Sequence, residues 1–272
     1  AFEMVDFVVI DKNPTPLSYI KSIKPYYFAK GFEYSSSGLP KATQEEIKAL
    51  KSYGGNIILS DNHSLIQLAS INDATTGQIT LNDYNLTLSG SVAIIKAALA
   101  GNFGNSYTGA VIFDDGNNAD ILATDITTIN SKTSGDITVS NQIIISGSSG
   151  DVDDAFTAID FNTGNAKAVL TTDHDLSELQ NISNSTSGQI TLNDYGLVLS
   201  GASDAVSEAL AGTFADDYSG NVILTDAHDL AKLKTINNAT SGTITLNNYG
   251  VQLSGSSEDV SDALAGTFAD DY

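Results

Sequence analysis

Toward the C-terminal end of the chain the apolar positions follow two alternating rhythms. Residues 221–225 (NVILT) form a short apolar run of β type, after which Leu230, Leu233 and Ile236 stand three apart on one face of a short helix. Asp226 or Thr225 is placed to cap that helix, and Ser241-Gly242 closes it with a residue suited to positive φ. Residues 243–246 (TITL) alternate and are rich in β-branched side chains, Asn247-Asn248-Tyr249-Gly250 is a turn, and residues 251–253 make another short strand. Ser254-Gly255-Ser256-Ser257 then opens a second helix with Val260, Ala263 and Leu264 on its apolar face. The predicted unit is three short strands and two short helices.

The same wording recurs upstream. Spacings of 58, 53 and 54 residues separate Gly77, Gly135, Gly188 and Gly242, each preceded by Ser or Thr, and 57, 54 and 54 separate Gly90, Gly147, Gly201 and Gly255, each closing a Leu/Ile-Ser-Gly triplet. Two markers keeping one period predict a stacked array in which each copy leaves an apolar face for its neighbour. The copies are residues 56–108, 109–164, 165–218 and 219–272. Each divides into two related strand-helix halves of about 27 residues, close to one turn of a leucine-rich-repeat-like coil. Whether a turn is one half or the whole copy stays open at this point. The second copy diverges, with four extra residues near DDGNNAD and a helix at 151–158; such an insertion belongs in a surface loop. Helices this short require packing against a continuous sheet, so the expected fold is an α/β solenoid with a parallel sheet running its length.

The first sixty residues read differently. Residues 7–11 (FVVID) resemble a buried parallel strand, Asn13-Pro14-Thr15-Pro16 punctuates it, and Leu17–Ile23 has helical spacing. A second strand is predicted at 26–29, a helix at 43–52 capped by Thr43 with Glu46 three residues on, and a third strand at 56–60. Strand, helix, strand, helix, strand implies a parallel unit with right-handed crossovers. This segment, with Lys24-Pro25, Lys30-Gly31 and Gly54-Gly55, resembles the C-terminal half of the cytidylyltransferase domain of the bifunctional heptose-synthesis protein. The resemblance implies a Rossmann-like nucleotidyltransferase whose His-x-Gly-His phosphate signature lies upstream. Here His63, His174 and His228 all fall beyond the matched segment, so nucleotidyl transfer is not expected, and Lys30 reads as a solvated strand-end lysine sooner than a retained phosphate contact. Ile57, Ile58 and Leu59 also occupy the position of Val222, Ile223 and Leu224 in the last copy. One strand thus serves both patterns, and the Rossmann-like βαβαβ half-domain is expected to cap the array.

Charge and composition narrow the function. Twelve Lys and Arg against 33 Asp and Glu give −21, which removes the electrostatic footprint for nucleic acid or an anionic membrane. Without cysteine, disulfides, thiol catalysis and thiolate metal sites are excluded. No run of about 18 apolar residues is present to span a membrane, and the opening AFEMVDFVVID reads as a strand in mid-fold, not a signal peptide.

Candidate chemistry lies in the repeated acids. Asp216-Asp217 and Asp270-Asp271 in FADDY, with Asp114-Asp115 and Asp151, Asp153 and Asp154 in copy two, supply the hard oxygens calcium requires. Neither the nonapeptide nor the EF-hand pattern accompanies them, and solvated acidic turns are the plainer reading. His63, His174 and His228 stand at equivalent positions near Asp61, Asp173, Asp175, Asp226 and Asp229. One imidazole per copy does not converge into a metal shell, and helix-start hydrogen bonding is the alternative. Tyr84, Tyr195 and Tyr249 are expected to cover the turn between two strands, with sugar binding as the lesser reading. No nucleophile elbow, phosphate loop or zinc motif occurs, and carboxylates that come in copies read as architectural.

The expectation is therefore a non-enzymatic structural or adhesive module of a large bacterial surface or secreted protein. It resembles in style the Asp/Thr/Ser/Gly-rich repeats of giant adhesins and surface-layer proteins, with copies of itself or cell-surface components as partners. The alternatives are a truncated nucleotidyltransferase with a repeat tail and a calcium-dependent binding module.

Overall fold

A computed structural model describes residues 15–25, 27–30 and 41–272. The chain divides into two compact units, residues 1–111 with 132–135, and residues 112–131 with 136–272. Among the described residues the protein is α/β, with ten helices and short parallel strands in four sheets.

The first unit carries α1 (Leu17–Ile23), β1 (Tyr27–Lys30), α2 (Lys41–Lys51), β2 (Asn56–Leu59), α3 (Leu65–Ala74), β3 (Gln78–Thr80), β4 (Leu88–Gly90), α4 (Val92–Leu99) and β5 (Asn102–Phe103). Its sheet has the order β1-β2-β3-β5, every measured pairing being parallel. The predicted helix at 17–23 and the strands near 26–29 and 56–60 are present. The helix predicted at 43–52 starts earlier, at Lys41, so Thr43 is no cap: it and Glu46 are buried inside the helix, at 2% and 1% exposure. The predicted strand at 7–11 and Gly31 lie outside the described residues. β2 is flanked by β1 and β3, which is the double membership expected of residues 57–59.

The second unit carries β6 (Val111–Phe113), β7 (Asp120–Leu122), α5 (Ala123–Asn130), β8 (Ile137–Val139), β9 (Ile144–Gly147), α6 (Ser149–Thr157), β10 (Phe161–Asn162), β11 (Lys167–Leu170), α7 (Leu176–Ser185), β12 (Gln189–Thr191), β13 (Leu199–Gly201), α8 (Ser203–Ala209), β14 (Thr213–Phe214), β15 (Val222–Leu224), α9 (Leu230–Ala239), β16 (Ile244–Thr245) and α10 (Ser257–Ala263). Its strands run in the orders β10-β8-β6, β14-β12-β11-β9-β7 and β13-β15-β16.

The register shows how the copies are laid down. Ile144 pairs with Lys167, Ala168 with Ile190 and Gln189 with Thr213, so successive rungs are 23, 22 and 24 residues apart. In the last copy Leu199 pairs with Val222, Val222 with Ile244 and Ile244 with Phe268, giving 23, 22 and 24 again. The first copy shows the same final steps, Ile57 to Ile79 and Gln78 to Asn102, 22 and 24. In the second unit β11 and β15, the first strands of the last two copies, each pair with the Ile/Leu-Ser-Gly strand of the copy before, β9 and β13. In the first unit β1 holds the place that β9 and β13 hold later.

Three findings follow. The strands partition into separate sheets, not one sheet running the length of the array. The step between paired strands, a length left open in the sequence, is 22–24 residues. And the copies use a fourth strand position, at Phe103, Phe161 and Phe214, with Phe268 making a single bridge. The predicted strand at 251–253 does not form: its counterparts are held by a first strand, as β13 is by β15, and none lies beside it. The helix predicted at 151–158 is α6, begun at Ser149 behind an N-cap at Ser148.

Between sheets and helices lies the core. Val222, Leu224, Leu233, Ile236, Ile244 and Leu246 of the last copy are at most 5% exposed, with Leu179, Ile182 and Ile190 fully buried in the copy before. Each such side chain contributes roughly 1.5–3 kcal/mol, which offsets the weakness of helices that among the described residues span at most 11 residues.

Candidate functional site

The repeated residues lie at the helix ends and the turns, and the threonines recur with one geometry, Thr75, Thr186 and Thr240 being the C-caps of α3, α7 and α9. Thr75, Thr133, Thr186 and Thr240 are buried, and each hydroxyl donates to a main-chain carbonyl one rung back: Gly55 at 2.7 Å, Gly109 at 2.8 Å, Ala166 at 2.5 Å and Gly220 at 2.7 Å. Each hydroxyl also accepts from the amide of the glycine two residues on, Gly77, Gly135, Gly188 or Gly242, at 3.0 Å. A Cβ on those glycines would sit 2.2–2.5 Å from the same carbonyl oxygens. The anchors are glycine because of this close approach, not because of positive φ as the sequence reading had it. Sequence inspection missed the staple, although Thr stands two residues before the glycine in every copy.

The turn tyrosines have an internal task. The phenol oxygens of Tyr84, Tyr195 and Tyr249 accept from the amides of Leu81, Leu192 and Leu246 at 3.1, 3.1 and 3.2 Å. The carbonyls of Tyr84 and Tyr195 in turn accept amides from the next rung, including Gly109 and Gly220. The turn-covering expectation matches this geometry, and the polar end of each ring is already engaged.

The three histidines each face a tyrosine 44 residues further on. His63 meets Tyr107, His174 meets Tyr218 and His228 meets Tyr272, with ring centroids 6.3, 6.1 and 5.8 Å apart in edge geometry. The tyrosine hydroxyls donate to the carbonyls of Leu86, Leu197 and Val251, 21 residues back, at 2.7, 2.8 and 2.6 Å. Burial lowers the pKa of all three imidazoles, against the opposing pull of nearby carboxylates. Burial raises the phenols, Tyr107 to about 12 and Tyr218 and Tyr272 also upward. The even 44-residue spacing was legible in the sequence; the pairing was not.

Four of the five aspartates expected beside the histidines hold other hydrogen-bond partners, whereas Oδ2 of Asp61 is buried without one. Asp175 caps α7 in a capping box with Glu178, and Asp229 caps α9 by accepting the Lys232 amide at 2.9 Å. This corrects the cap predicted at Asp226 or Thr225; Asp226 accepts the Ser203 amide at 2.7 Å, which holds its carboxyl below the ordinary range. Asp173 accepts from Asn193 at 2.8 Å, and Asp61 is half-buried.

Asp216, Asp217, Asp270 and Asp271 are exposed. Asp216 accepts its neighbour's amide at 3.0 Å and Asp270 does so at 2.9 Å, so one carboxylate of each pair closes its own turn. Each pair lines an open cleft of about 470 Å³, against Tyr218 and Tyr272 respectively. In copy two, Asp151 accepts from Ser148, and Asp153 accepts from Asn181 at 3.0 Å, with burial lifting the Asp153 pKa. Among the described residues no three His, Asp or Glu side chains converge as a metal shell would require. Lys30 closes β1 opposite Leu59, and its side chain lies outside what the structure describes. No helix among the described residues is long and apolar enough to cross a membrane.

The fold and these sites define an α/β protein of repeated strand-helix copies. Comparison with protein-family models, with curated proteins and with solved structures returned no match.

Proposed function

We propose that the chain is a non-enzymatic structural module, an α/β solenoid that sets distance or presents an extended face for self-assembly or adhesion on a bacterial surface or secreted protein. The observation that carries this reading is the threonine staple: the same two hydrogen bonds, at the same register, in all four copies. A catalytic constellation is ordinarily singular, whereas the polar groups here recur and face inward to partners on the adjoining rung. Asn72, Ser183 and Asn237 extend the pattern, each reaching a carbonyl near the end of the following helix, Ala97, Ala209 and Asp262, at 2.6–2.7 Å. Repetition of internal bonds builds length, and length is what a spacer or filament segment needs.

Small-angle scattering on chains carrying two, three and four copies tests the reading. A spacer predicts a maximum dimension that grows by an equal step with each added copy. Growth as the cube root of mass, the behaviour of a compact globule, would sink it.

A further inference from the structure

We propose that the three His–Tyr pairs are acid-release catches: below neutrality the imidazoles take up protons for which the folded copies hold no acceptor, and copies one, three and four loosen while copy two holds. The geometry is the ground for it. His174 and His228 are 8% and 4% exposed, and each histidine buries at least one ring nitrogen without a hydrogen-bond partner: both nitrogens of His63, Nε2 of His174 and Nδ1 of His228. In the last copy the network fixes the tautomer. The Tyr272 hydroxyl donates to the Val251 carbonyl, so its oxygen is free to accept from Nε2 of His228, 3.1 Å away. Nδ1 is then a bare lone pair, and a second proton there would point a charged N–H at nothing that can receive it.

The tyrosine is the element the catch holds. Its hydroxyl ties the start of one rung to the carbonyl 21 residues back, so repulsion of an imidazolium from its pocket acts directly on a contact between rungs. The charged groups facing the rings are Asp83 for His63; Asp173, Asp175, Glu178 and Asp194 for His174; and Asp226 and Asp229 for His228. All favour the cation, yet Asp175 and Asp229 are engaged as helix caps, and burial prevails in every case. The sign follows: with the folded-state pKa below 6.5, the unfolded chain binds more protons, so stability is fully present above 6.5 and is lost as pH falls toward the folded value. Copy two has no histidine, and no tyrosine stands between Phe161 and Lys167. It is a control within the molecule.

Hydrogen exchange on the whole chain at pH 7 and pH 5, corrected for intrinsic rates, tests the proposal. Protection should fall once the pH drops below 6.5, by at most about tenfold per pH unit, in the segments around Tyr107, Tyr218 and Tyr272, and stay level across 137–162. In His228→Phe, an apolar ring with nothing to protonate, the last copy should lose its acid response while the others keep theirs. Uniform loss across all four copies, or an acid response that survives in His228→Phe, would overturn the proposal. If that variant does not fold, an NMR titration of the unaltered chain decides: imidazole midpoints below 6.5 support the catch, and midpoints at or above it refute it.

Discussion

The hydroxyl of Thr240 holds Gly220 and Gly242 at once, donating to the carbonyl of the first at 2.7 Å and accepting from the amide of the second at 3.0 Å. One buried oxygen thereby satisfies two main-chain groups that would otherwise be stranded between rungs. Replacing Thr240 by Val keeps the shape and removes both bonds. A buried unsatisfied group costs about 1–3 kcal/mol, so the variant should lose stability of that order in guanidinium unfolding. Thr240→Ser should recover most of it, and equal loss in the two variants would point to the methyl group instead.

The close approach behind the glycine anchors makes a sharper prediction. A Cβ at Gly242 would lie 2.2 Å from the Gly220 oxygen, whereas at Gly116 it would meet nothing within 4 Å. Gly242→Ala should therefore lower the unfolding midpoint severely, by more than about 3 kcal/mol, while Gly116→Ala stays within about 0.5 kcal/mol. Comparable effects at the two positions would contradict the staple geometry.

Alkali should act through the buried phenols. Tyr107 is raised from 10.0 to about 12, by burial and by Asp83. A group raised in the folded state contributes stability that is intact below the unfolded value of 10 and is lost as pH climbs toward 12. Denaturant midpoints measured at pH 9 and pH 11 should fall, with tyrosine ionisation by near-ultraviolet absorbance tracking unfolding. Free ionisation of all the tyrosines in a still-folded chain is the contrary result.

For the acidic pairs the expected outcome is a weak response. Asp216 and Asp270 already close their own turns, and among the described residues no group of three carboxylate or imidazole side chains gathers to hold a metal ion. Melting temperature should rise no more with calcium than with magnesium at equal ionic strength, since specific binding alone would separate the two. A calcium-selective rise that Asp270→Asn abolishes would restore the calcium-module alternative.

Residues 1–60 are expected to shield the first copy. β1 pairs along the whole of β2, from Tyr27 opposite Asn56 to Lys30 opposite Leu59, and deletion of residues 1–55, which leaves β2 in place, bares that strand edge. Light scattering should then find oligomers where the intact chain gives a single mass. A monomeric truncated chain would refute the capping role.

Much of this architecture is legible in the sequence. The helices announced themselves because Leu230, Leu233 and Ile236 keep a helical spacing, and their burial matches it. The fourth strand escaped because it is two residues long, too short for any alternation to show. Asp226 and Asp229 both precede the apolar positions, and only the extended backbone at Asp229, φ −113 and ψ 175, selects it as the cap. The His–Tyr pairs join residues 44 apart, across two rungs, and no local pattern reports such a contact. The partition into separate sheets was hidden for the same reason, since it depends on how far each rung advances.

β1 shows that the first copy accepts a strand of unrelated wording where later copies receive LSG. The pairing along that joint is made by main-chain groups. Under the proposed spacer role, a joint of this kind would let the number of copies change by whole periods, so that reach would vary in discrete steps.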